Sequence, residues 1–111
     1  HNCLVGSEMC IRDRNELTKE QIEKYGKAIN TPDFLILSDF YINNKKINWI
    51  DAKNFYGANT FLIKKNIQKQ VPKYINEYGF GCIIFSLNFS EKLHFDNVLL
   101  TSFNLLKNFN K

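Results

Sequence analysis

The chain has 111 residues, 44% hydrophobic content and a formal net charge of +4 at pH 7. This length predicts one domain, and the composition excludes a disordered chain. No apolar run approaches the roughly 20 residues that a membrane-spanning helix needs, so no membrane partner is expected. The three cysteines lack paired spacing, which predicts no disulfide framework and favours a reducing, intracellular compartment.

Residues 1–14 differ in composition from the rest of the chain. They contain both arginines and the only methionine, whereas the remainder is rich in Asn, Lys, Ile and Phe. Within them, the stretch SEMCIRDR is similar to peptides that arise when sequencing-adapter DNA is translated. We therefore predict that residues 1–14 are an adapter-derived, non-native segment and that residues 15–111 form the domain.

The first half of this domain predicts a helix followed by a hairpin. Residues 15–25 have helix-forming content, with Thr18 and Gln21 as a capping box and Gly26 as the helix stop. Residues 34–42 are rich in strand formers, residues 43–46 predict a turn, and residues 47–53 predict the returning strand.

The second half predicts a long helix and one or two further strands. Apolar residues recur at helical spacing over residues 60–78, where Pro72 is expected to kink the helix or to start a second one. Residues 80–89 predict a buried strand, and residues 98–103 a further strand or short helix. The resulting fold class is α/β, with a mixed β-sheet flanked by helices.

Positive charge is concentrated in the middle of the sequence. Residues 42–73 contain seven lysines against the single acid Asp51, a net charge of +6. This pattern fits either a solvated surface or a surface that binds phosphates.

Three charged residues lie at the ends of the predicted hairpin: Asp33, Asp51 and Lys53. Two carboxylates and a lysine are the groups that metal-dependent phosphodiester hydrolysis requires, with the Ala52 carbonyl as a further hard ligand for Mg²⁺. Alternation places Asp51 and Lys53 on one strand face with Trp49. The register decides whether Asp33 reaches them. The alternative is a solvent-facing Asp51–Lys53 ion pair.

A set of sequence blocks resembles a known family. The blocks are Thr31-Pro32-Asp33, Trp49-Ile50-Asp51-Ala52-Lys53, Gln70-Val71-Pro72-Lys73-Tyr74 and Tyr78-Gly79-Phe80-Gly81. Over roughly residues 18–106 their order is similar to the TPD-motif family of PD-(D/E)xK nucleases, which includes the codanin-interacting nuclease of animals. The resemblance implies a restriction-endonuclease-like core.

The resemblance also implies roles for individual residues. Asp33 and Asp51 would bind the metal, Mg²⁺ or alternatively Mn²⁺, and Lys53 would be the catalytic lysine. Gln70 and Tyr74 match a QxxxY element on a helix. An upstream acid would complete the ligands, with Glu20 the best candidate by position and Glu16 or Glu23 as alternatives.

The implied function is Mg²⁺-dependent hydrolysis of DNA, with a codanin-like protein as a further partner. The resemblance implies a nuclear role, so the expected intracellular location is nuclear or cytoplasmic. An RNA endonuclease or junction resolvase, and a non-catalytic module that binds protein or nucleic acid, remain as alternatives. Family members carry a longer helical region before the TPD block, so we expect residues 15–111 to be an N-terminally truncated fragment. Pro72 falls inside the Gln70–Tyr74 element, and the oligomeric state is left open.

Overall fold

A computed structural model describes residues 10–105 of the chain. Its elements, in chain order, are β1 (Ile11–Asp13), α1 (Arg14–Tyr25), β2 (Phe34–Ile36), β3 (Tyr41–Ile42), β4 (Lys45–Lys46), β5 (Trp49–Lys53), α2 (Phe61–Tyr78), β6 (Gly81–Phe85) and β7 (Val98–Ser102). The predicted α/β class is confirmed, and the segment from residue 98 is a strand.

Five strands form one mixed sheet in the order β1-β2-β5-β6-β7. The pairs β1–β2 and β2–β5 are antiparallel, whereas β5–β6 and β6–β7 are parallel. Parallel neighbours need a long crossover connection, and α2 supplies it between β5 and β6. The predicted mixed sheet is therefore confirmed.

Helix α1 begins earlier than the sequence predicts. Asp13 caps it, since its carboxylate accepts a hydrogen bond from the Glu16 N–H at 2.9 Å. The capping box predicted at Thr18 and Gln21 is therefore wrong, because both residues lie inside the helix. Gly26 ends α1 in the left-handed conformation (φ 82°), as predicted.

The predicted first strand of the hairpin is interrupted. β2 ends at Ile36, and β3 and β4 form a separate two-stranded sheet. Asn43 and Asn44 make its tight turn with φ of 51° and 64°, a conformation that asparagine tolerates. This break allows Ile42 and Ile47 to pack over Cys82.

Helix α2 runs as one helix through Pro72. Thr60 caps its start, accepting a hydrogen bond from the Ile63 N–H. Ile67, Val71 and Tyr74 are buried against the sheet. This packing outweighs the local cost of proline, so the predicted start of a second helix at Pro72 is wrong.

Two apolar clusters lie on opposite faces of the sheet, because neighbouring residues of a strand point to opposite sides. On the α2 face, Trp49 makes an edge-to-face contact with Tyr74 at 5.1 Å between ring centroids. Gly81 permits this packing, since a Cβ there would overlap the Trp49 ring. On the opposite face, Cys82 is fully buried under the β3–β4 hairpin.

One cysteine lies in the described core. Cys82 is a free thiol, and burial raises its pKa to about 12. Within residues 10–105, no helix has the length and apolar character needed to cross a membrane.

Candidate functional site

Asp51 is the centre of the candidate site. It is the third residue of β5 and lies on the face that α2 covers, so only 2% of its surface is exposed. Its Oδ1 accepts a hydrogen bond from the Asp33 N–H at 3.1 Å, and its Oδ2 lies 2.8 Å from the Lys53 ammonium. Burial raises the pKa of Asp51, while Lys53 acts in the opposite direction.

The strand register brings Asp33 to Asp51. β2 pairs with β5 so that Phe34 lies opposite Ile50, and Asp33 is the residue immediately before Phe34. The Asp33 Oδ2 accepts a hydrogen bond from the Ala52 N–H at 2.7 Å. The structure therefore brings together the two carboxylates whose proximity depended on the register.

The segment of chain that leads to Asp33 is held by side chains of both helices. The Gln21 amide donates to the Asn30 carbonyl at 2.7 Å, and the Tyr78 hydroxyl donates to the same carbonyl at 2.8 Å. Burial is the main cause that raises the pKa of Tyr78, so its hydroxyl keeps the proton that it donates. Asn30, the residue before the Thr31–Asp33 stretch, is thus held by one side chain from each helix.

Pro32 bears on the ligand role that was predicted for the Ala52 carbonyl. Extending the antiparallel register of β2 and β5 by two residues places Pro32 opposite Ala52. In such a pair the N–H and C=O of one residue both face the other strand, so the Ala52 carbonyl points to the same edge as its N–H. Pro32 has no N–H to donate to that carbonyl. The proline therefore removes the ladder bond that would otherwise occupy this oxygen.

Lys53 is held between β5 and α2. Besides its contact with Asp51, its ammonium donates to the Gln70 Oε1 at 2.6 Å. The structure thus brings Gln70 to Lys53, and the role that the QxxxY resemblance implies for Gln70 stays a prediction. An ammonium has three donors, and these two contacts leave one of them for a further acceptor.

Tyr74 lies one helical turn after Gln70 and is 5% exposed. Its pKa is raised to about 12, first by burial and then by the charge of Asp51. Tyr74 packs against Trp49, and its hydroxyl lies in the electrostatic environment of Asp51. Its role in the QxxxY element stays a prediction.

Arg14 is a member of the site that the sequence did not predict. Its Nη2 lies 3.1 Å from the Asp33 Oδ1 and 3.1 Å from the Asp51 Oδ1. Its Nε donates to the Thr31 carbonyl at 2.9 Å. One cationic nitrogen thus bridges the two carboxylates. The Arg-Asp-Arg stretch just before a predicted helix was the available signal, but it falls within the segment set aside as non-native.

The upstream glutamates do not join Asp33 and Asp51. Glu20 is ion-paired with Arg12, which also lies 4.0 Å from Glu16. Among residues 10–105, no three His, Cys, Asp or Glu side chains come together as a metal-holding group. The hypothesis that Glu20, Glu16 or Glu23 supplies a third carboxylate therefore gains no support.

Part of the segment predicted to be adapter-derived, residues 10–14, is described and contacts the rest of the domain. β1 pairs with β2, Asp13 caps α1, and Arg14 contacts the site. Residues 1–9 lie outside the described residues. The non-native origin of residues 1–14 stays a prediction.

Sequence comparison gives the chain a family. Residues 1–103 match the profile described as "Protein of unknown function TPD sequence-motif". The chain belongs to the TPD sequence-motif family. In this chain a Thr-Pro-Asp triplet stands at residues 31–33, the stretch that carries Pro32 and Asp33.

A viral protein is also similar to this TPD chain. An uncharacterized protein of Acanthamoeba polyphaga mimivirus is 27% identical over 93 residues, which cover 80% of this chain and 32% of the viral protein. The chain thus spans about one third of the length of that curated relative. No solved structure matches the chain. The restriction-endonuclease-like core therefore stays a prediction beyond the mixed α/β fold.

Proposed function

We propose that this TPD chain contains the core of a divalent-metal-dependent nuclease of the PD-(D/E)xK type, which hydrolyses DNA phosphodiester bonds. One observation carries the proposal. The carboxylates of Asp33 and Asp51, both within 3.1 Å of a single Arg14 nitrogen, lie beside a lysine ammonium held by Asp51 and Gln70. This combination serves hydrolysis of an anionic ester better than it serves stability, since it buries the charge of Asp51.

The donor set fits a hard divalent cation. Asp33, Asp51 and the Ala52 carbonyl would hold Mg²⁺, or Mn²⁺ in its place, because such ions prefer carboxylate and carbonyl oxygens. The bridging Arg14 nitrogen supports this fit, since it demonstrates that both carboxylates can face one cation. When bound, the ion would neutralise phosphate charge and activate water.

The protein groups around the carboxylates have separate tasks. The remaining donor of Lys53 is available to a phosphate oxygen or to the attacking water, where it would stabilise developing negative charge. Gln70 orients Lys53 through its Oε1. With its pKa raised to about 12, Tyr74 stays protonated at neutral pH and acts as a hydrogen-bond donor.

The test is a cleavage assay with Mg²⁺ or Mn²⁺ on single-stranded, duplex and branched DNA and on matching RNA. We expect DNA cleavage that falls by at least about 100-fold in Asp51→Ala and Lys53→Ala, typical of losing an electrostatic catalytic group. Lys45→Ala, at the exposed hairpin, is the matched control and should cleave normally. Cleavage confined to RNA or to branched DNA would assign the same site to an RNA endonuclease or a junction resolvase.

A second candidate is a non-catalytic module that binds nucleic acid or protein. The Arg14 bridge favours it, because the guanidinium already balances the two carboxylates without a metal. Absence of cleavage on every substrate, in a protein that folds and binds nucleic acid, would support this candidate. A codanin-like protein partner and a nuclear or cytoplasmic location stay predictions.

A further inference from the structure

The flank of α2 that carries Gln70 also carries a row of exposed polar residues. On a helix, residues three or four positions apart are neighbours. Lys73 lies three positions after Gln70 and Asn66 lies four before it, while Lys69 lies four before Lys73. All three of these neighbours are exposed. We call Asn66, Lys69 and Lys73 the basic row.

The position of the basic row relative to the site follows from one contact. Gln70 reaches the Lys53 ammonium at 2.6 Å, so its flank of α2 turns toward the site. Lys64 is on the other flank, one turn before Gln68, which lines a groove with Pro72 and Phe95. The two flanks of one helix thus differ in what they adjoin.

The described acids leave the lysines of the basic row unpaired. α2 contains four lysines and the single acid Glu77, whose carboxylate accepts a hydrogen bond from the Asn30 amide at 3.0 Å. Among residues 10–105, neither Lys69 nor Lys73 forms an ion pair. Because both ammonium groups are exposed and lack an anionic partner, an external anion can neutralise them without breaking an existing contact.

We propose that the basic row binds the phosphates of a nucleic-acid strand beside the bond that the site cleaves. The inference deepens the proposed function and rests on it for the direction of the strand toward Asp51. Two lysines one turn apart provide charge for successive phosphates, and Asn66 adds an amide donor. The contacts are with the backbone and not with base edges, so binding is independent of nucleotide sequence.

The proposal is tested by the salt dependence of binding, measured by fluorescence anisotropy with labelled DNA of mixed sequence and no divalent metal. The test variant is Lys69→Gln with Lys73→Gln. The control is Lys45→Gln with Lys64→Gln, which removes the same charge at the hairpin and on the other flank of α2. All four positions are exposed, and the circular dichroism spectrum verifies folding.

We expect the test variant to reduce the slope of log K against log salt by about 2, since each lysine–phosphate contact contributes about 1. The control should change the slope by less than about 0.5, and the loss should be equal for unrelated sequences. Equal slopes in test and control variants would overturn the inference. A sequence-dependent loss would also overturn it.

Cleavage assays on the same variants separate this inference from the proposed function. If wild type cleaves and the test variant cleaves as fast as the control variant, the proposed nuclease function is kept and the basic row has no part in it. A slope loss in a wild-type protein that never cleaves would keep the basic row and favour the binding module. No binding by wild type at any salt concentration would overturn the inference.

Discussion

At the scale of single residues, the candidate site is a balance of buried charge. Asp51 is almost fully buried, and its two oxygens face Lys53 and Arg14. A free-standing carboxylate in this position would be costly. The two cations reduce this cost, but Asp51 still titrates at a raised pKa.

Replacing Asp51 by asparagine tests this balance. The folded pKa of Asp51 lies above its ordinary value of 3.8, so ionisation costs the folded state stability as pH rises through the interval between the two values. We expect Asp51→Asn to raise the free energy of unfolding near pH 7 without divalent metal, by an amount on the order of 1 kcal/mol. The gain should shrink toward pH 4, where the wild-type carboxyl is increasingly protonated.

Urea unfolding at several pH values measures this gain. Asp39→Asn is the control, because its side chain is 78% exposed and pairs with Lys46 at the hairpin. If the free energies of unfolding of Asp51→Asn and wild type differ by the same amount at every pH, a raised pKa of Asp51 is contradicted.

Arg14 is expected to compete with a divalent cation. Its guanidinium bridges the carboxylates that would hold the metal, so Arg14→Ala should tighten Mn²⁺ binding by roughly 10-fold, equivalent to about 1.4 kcal/mol. Isothermal titration calorimetry with Mn²⁺ measures the change. Arg12→Ala is the control, since that residue has the same charge and pairs with Glu16 and Glu20. Weaker Mn²⁺ binding in Arg14→Ala would mean that Arg14 assists the site.

At the scale of elements, residue patterns predicted most helices and strands but not how they join. The helical spacing of Ile67, Val71 and Tyr74 and the apolar run before Phe85 identify α2 and β6. The break after Ile36 has no comparable local signal, because it depends on where the β3–β4 hairpin packs. Strand register likewise depends on partners distant in sequence, so the sequence alone did not predict that Asp33 and Asp51 lie close together.

Gly81 shows how one element controls its neighbour. A side chain at this position in β6 would enter the space of the Trp49 ring, two residues before Asp51 in β5. We expect Gly81→Ala to lower the free energy of unfolding by about 1–3 kcal/mol, as overpacking does. Chemical denaturation measures the loss. The cost of Gly81→Ala should be smaller in a Trp49→Leu background, whereas additive costs would contradict the steric explanation.

At the scale of the whole molecule, the site joins parts of the chain that are far apart in sequence. Asp33 precedes β2, Asp51 and Lys53 belong to β5, and Gln70 belongs to α2. Residue types and spacing identified Asp33, Asp51 and Lys53, because their chemistry is readable locally, whereas Gln70 was identified by its match to the QxxxY element. Arg14 was missed because the composition of its surroundings led to its exclusion.

Metal binding should stabilise the folded chain, because the ligands come together only on folding. At a Mg²⁺ concentration of about 100 times Kd the gain is about 2.7 kcal/mol, or roughly 10 °C in Tm for a domain of this size. Differential scanning fluorimetry measures it, with NaCl of equal ionic strength as the control. Asp33→Asn should abolish the Mg²⁺-specific shift, and an undiminished shift in that variant would place the ion elsewhere.

The burial of Cys82 beneath the β3–β4 hairpin makes this thiol a reporter of partial opening. A thiol reagent can reach it only in molecules whose hairpin has lifted from the sheet, so in a Cys3→Ser, Cys10→Ser background the labelling rate gives the free energy of that opening. We expect a value below that of global unfolding, and Ile47→Ala, which trims the hairpin contact, should speed labelling. If the free energy of opening equals that of global unfolding, the hairpin leaves the sheet only when the whole chain unfolds.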